Sequence, residues 1–72
     1  MTLLNALATE AQFQIESNET AIQHLRTEAL QRLESAPTGT DNLVAVVRLI
    51  FDILSLQDKI NQDRHRISTL AA

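Results

Sequence analysis

The sequence predicts an all-α fold: an antiparallel two-helix hairpin, with helices over about 2–35 and 40–70, in a single domain covering 1–72. Three observations predict it. Apolar residues recur at alternating gaps of four and three in both halves of the chain, the signature of a helical seam. The chain has one Gly and one Pro, and both fall in the segment Ser35-Ala36-Pro37-Thr38-Gly39-Thr40-Asp41-Asn42. The β-branched run Val44 to Val47 lies inside a 3.6-residue pattern and has no second strand to pair with.

The first helix is expected to start behind Thr2, an N-cap residue type. Leu4, Ala8, Ala11, Ile15, Asn18, Ile22, Leu25 and Ala29 then follow a strict heptad spacing, with Asn18 on the seam. Arg32 takes the next slot and Leu33 lies beside it, so the seam drifts; Leu7, Leu30 and Leu33 widen the apolar stripe. Ser17-Asn18-Glu19-Thr20 is the weak point, because Ser and Asn compete with the helix for backbone hydrogen bonds. Asn18 therefore has two readings: a polar seam residue that fixes register or oligomeric state, or a kink.

The turn follows from its chemistry. Pro37 pushes Ala36 out of helical geometry, and Gly39 supplies a turn residue. Thr38, Thr40 and Asp41 are candidate N-caps of the second helix, and Thr38-x-x-Asp41 has the spacing of a capping box.

The second helix carries a stripe of Leu49, Ile53, Leu56, Ile60, Ile67 and Leu70, with Asp63 in its gap. Two more stripes flank it: Leu43, Val46, Ile50 and Ile53, then Val44, Val47, Phe51 and Leu54. Between Leu43 and Leu56 the polar residues are Arg48, Asp52 and Ser55, a narrow line on an otherwise apolar helix. After Leu56 the segment turns polar.

Centred near Thr38, the turn sets residue i opposite roughly 77 minus i in an antiparallel pair. Glu10, Glu16 and Glu19 then lie near Arg66, Asn61 and Asp58, with a Glu19–Asp58 clash. The first helix has five acids and two bases and the second half four of each, so pairing favours register more than stability.

A 72-residue chain buries only about 60 % of its unfolded surface, and this one has no Cys to staple it. One neighbouring helix covers one face, whereas residues 43–56 are apolar over most of the circumference. The uncovered side is expected to be Val44, Val47, Phe51 and Leu54, or else the side of Leu49 and Leu56. Such a patch marks a protein-binding surface. The expected partner is a second copy, completing a four-helix bundle, or another helical protein.

Other chemistry is thinly represented. With no Cys, a thiolate zinc site and a thiol nucleophile are excluded. His24 and Glu28 share a helix face at i, i+4, but a metal site needs three or four ligands. No Ser/His/Asp set or phosphate loop is present, so a non-enzymatic chain without cofactor is expected. Arg64-His65-Arg66 suits the C-terminal end of a helix. With net charge −3 and no aromatic beside that cluster, nucleic acid is not an expected partner. No apolar run approaches the roughly 20 residues of a membrane span, and the opening residues lack a basic leader, so a cytoplasmic location is expected. Arg48 and Asp52, at i, i+4 within the apolar segment, read either as an ionic anchor that sets partner choice or as a weak solvated pair.

Met1-Thr2-x-Leu4, the Leu25-to-Leu33 stretch, one short break and the run Ala45-Val46-Val47-Arg48-Leu49-Ile50-Phe51-Asp52-Ile53-Leu54 together give the chain a pattern. In that pattern it resembles the small helical-hairpin co-chaperones of type III secretion needle subunits. The resemblance implies a role in keeping a needle subunit soluble. The needle and inner-rod subunits of such systems are similar too, which implies a structural role as the alternative. The alternative from another class is a Rop-like regulatory dimer of hairpins touching nucleic acid along one bundle face, and it requires a continuous basic stripe.

Overall fold

The computed structural model describes residues 2–36 and 38–71. Two helices, α1 (Leu3–Ser35) and α2 (Thr40–Ala71), pack side by side and antiparallel. The hairpin measures 53 × 15 × 12 Å, a rod as long as one helix and two helices across.

Local chemistry sets the ends of α1. The Thr2 hydroxyl accepts from the Asn5 backbone N–H at 3.2 Å, as an N-cap should. At the other end Ala36 leaves the helix at φ −151°, ψ 74°, and its N–H still donates to the Arg32 carbonyl at 3.1 Å. Pro37, expected to cause that exit, lies outside the described residues. α1 runs without a break through Ser17–Thr20. Thr20 there turns its hydroxyl back onto the Glu16 carbonyl at 3.0 Å, so it stays within the helix instead of capping a new one.

α2 begins differently from the expected capping box. The Gly39 carbonyl accepts from the Leu43 N–H at 2.9 Å, and the Gly39 N–H donates to the Ala36 carbonyl at 3.3 Å. Among the described residues no side-chain bond of Thr38, Thr40 or Asp41 caps the helix. The tie comes instead from Asn42. Its amide donates to the Arg32 carbonyl and, at 3.1 Å, to the Ala36 carbonyl, adding a second donor to each of these acceptors at the end of α1.

The heptad seam of α1 is the one the spacing predicts. Ala11, Ile15, Ile22 and Ala29 are buried, and Ala8, Asn18 and Leu25 half-buried. From α2 come Val46 and Ile60, both buried, with Ile53, Leu56 and Ile67 packed around the Ile15–Ile22–Ile60 cluster. The seam departs from expectation at its ends. Arg32 stays in solvent and pairs with Glu28 at 3.5 Å. Leu4 is 53 % exposed, because α2 runs out opposite the start of α1. Among the described residues no large side chain is completely buried: two helices cannot surround one.

Candidate protein-docking face

The groove between the helices separates into two chemical zones along one face. In the zone far from the turn it is lined by Glu16, Glu19 and Gln23 of α1 and by Gln57, Asn61 and Arg64 of α2. Glu19 pairs with Arg64 across it at 3.1 Å. This corrects the expected Glu19–Asp58 clash: Asp58 turns away and accepts from the Gln62 amide at 2.9 Å, leaving Glu19 to Arg64. Arg66 lies 3.7 Å from Asp63, a carboxylate buried on the seam. Both arginines of Arg64-His65-Arg66 are thus engaged by acids.

Near the turn the zone is apolar. Val44 (49 % exposed), Val47, Phe51 (65 %) and Leu54 (54 %) all face solvent, joined by Leu43 and Ile50. At 3.6 residues per turn these six cover an arc of roughly 120° on α2, adjoining the arc that packs on α1. Leu30 and Leu33 of α1 are exposed near the same end. Antiparallel helices place corresponding flanks on one side. Leu30 and Leu33 therefore continue the α2 patch, just as Glu16, Glu19 and Gln23 continue Gln57, Asn61 and Arg64.

Leu49 and Leu56, the alternative partner-binding pair, belong to the intrachain seam. Both are half-buried, and Leu56 packs on the Ile15–Ile22–Ile60 cluster. The reason is angular: they share a stripe with Ile53 and Ile60, and one stripe is what α1 covers. Asn18 is half-buried on the seam inside a continuous helix, so the helix does not break there.

Arg48 and Asp52 are both exposed. The ion pairs among the described residues are Arg32–Glu28, Arg64–Glu19 and Arg66–Asp63, so Arg48 and Asp52 do not bridge each other. Asp41 and Arg48 border the apolar patch on its outer side, while Asp52 and Lys59 lie beside the seam on the opposite face of the hairpin.

The surface area gives this face its weight. A compact monomer of 8.0 kDa exposes roughly 4,450 Å². The hairpin exposes 5473 Å², an excess of roughly 1,000 Å². Burying the open half of six large apolar side chains is worth on the order of 5 kcal/mol, comparable with the whole stability of a small domain.

For other chemistry the geometry offers little. His24 is exposed, and Glu28 is turned to Arg32. No group of three or more metal-ligating side chains occurs among the described residues. No helix among them is long and apolar enough to cross a membrane. Comparison with protein-family models, with curated proteins and with solved structures finds no match to this chain.

Proposed function

We propose that this hairpin is a non-enzymatic interaction module that docks a partner helix on the apolar face of α2 near the turn. One observation carries the reading: Val44, Val47, Phe51 and Leu54 form a contiguous exposed stripe on a helix whose opposite stripe is already packed. An amphipathic helix laid along that stripe would bury it by the same heptad geometry that joins α1 to α2. Co-chaperoning a secretion-needle subunit is one specific form of this function. It rests on the sequence resemblance alone, and no family or structural match supports it.

A photo-crosslinking amino acid placed at Phe51, in the chain's native cells, tests the docking reading. Docking predicts discrete protein adducts from position 51 and none from position 14, where Gln14 is exposed away from the patch. Equal labelling from both positions, or none from either, contradicts it.

A further inference from the structure

We infer that the occupant of this face is a second copy of the chain, packed with its α2 antiparallel to the first α2 about a twofold axis near residues 48–49. The inference rests on the docking reading above and identifies its partner. The apolar stripe is its first support. Leu43, Val47, Ile50 and Leu54 have gaps of four, three and four, so the stripe reads the same in both directions. A twofold axis across it sets Leu43 against Leu54 of the second copy, and Val47 against Ile50. Each contact occurs twice, as an isologous interface requires.

Direction follows from the helix dipoles. Neighbouring helices packed antiparallel have opposed macrodipoles, as α1 and α2 already do within the chain. Arg48 lies at the outer edge of the contact, and Asp52 and Lys59 lie on the opposite face of α2, so the contact itself is apolar.

α1 fits the same axis. Asn42 is bonded to Ala36, and stepping six residues away from each places Leu30 level with Arg48. Leu30, 60 % exposed, therefore lies near the twofold and meets its own copy. The axis overlaps the two turn halves and leaves the Glu19–Arg64 zone in water. The excess of roughly 1,000 Å² per chain is what a standard interface of about 800 Å² per partner removes.

The purified full chain provides the test. Leu43→Cys protein mixed with Leu54→Cys protein is oxidised gently, beside each variant alone; the native chain has no Cys to interfere. Antiparallel packing predicts a mixed 43–54 disulfide at least tenfold more abundant than either homodimer. Val47→Asp, at the centre of the stripe, should weaken the dimer at least tenfold. Efficient homodisulfides from each variant alone, or undiminished association of Val47→Asp, would overturn the antiparallel dimer. So would a wild-type chain that sediments as a monomer. Position-51 adducts to a different protein, beside a monomeric purified chain, would remove the second copy and leave the docking reading standing.

Discussion

Gly39 sits in the turn without using the backbone freedom that glycine alone possesses. No glycine has a positive φ, and a Cβ at Gly39 would meet the Asn42 and Ala36 Cβ atoms at 3.5 and 3.7 Å, ordinary contact distances. Gly39→Ala should therefore restrict the unfolded chain and cost the folded one nothing. An increase of about 0.4–1 kcal/mol in urea-unfolding stability is expected. Asn42 is the residue that holds the turn, through its amide bonds to the Arg32 and Ala36 carbonyls. Phe51 belongs to the opposite category. It is 65 % exposed and contributes little to the isolated hairpin, so its large ring has its effect only when something covers it.

At the scale of the helices, α1 has one working stripe and α2 has two. That difference separates stability from docking. Ile22, buried against Ile15 and Ile60, belongs to the first stripe of both, and Ile22→Ala should lower stability by on the order of 2–4 kcal/mol. Phe51→Ala should change it by less than about 0.5 kcal/mol when measured in dilute protein, by thermal melting of the helical circular dichroism. Most of this was legible in the sequence. The gaps from Ala8 to Ala29 and from Leu49 to Ile67 carry the heptad period, and the period alone locates the seam. The angular position of Leu49 and Leu56 was less legible, because three adjacent apolar stripes leave open which one faces α1. Packing resolves it by choosing the longest stripe, from Val46 to Ile67 and beyond. Asn42 as the turn's tie was illegible, since its partners are carbonyls whose orientation depends on how α1 ends. The Glu19–Arg64 pair was missed for a related reason: a one-to-one register ignores how far an arginine reaches.

Viewed whole, the molecule is too extended for its mass. Its radius of gyration is 16.4 Å, where a compact 72-residue domain has about 11 Å. A two-helix rod leaves half of each helix in solvent; Leu3, Leu4, Leu7 and Phe13 are exposed at the far end of α1, and a longer exposed apolar run lies beside the turn. The contiguous part of the apolar surplus lies on the stretch of α2 that α1 cannot reach around. A second hairpin placed there converts the rod into a four-helix core over the turn halves, and mass action then makes stability depend on concentration. Sedimentation equilibrium of the wild-type chain beside Phe51→Asp tests this most directly. The wild-type mass should rise with concentration towards twice 8.0 kDa, while Phe51→Asp, folded and helical, should stay at 8.0 kDa. Both proteins remaining at 8.0 kDa throughout, with melting temperatures independent of concentration, would contradict the account.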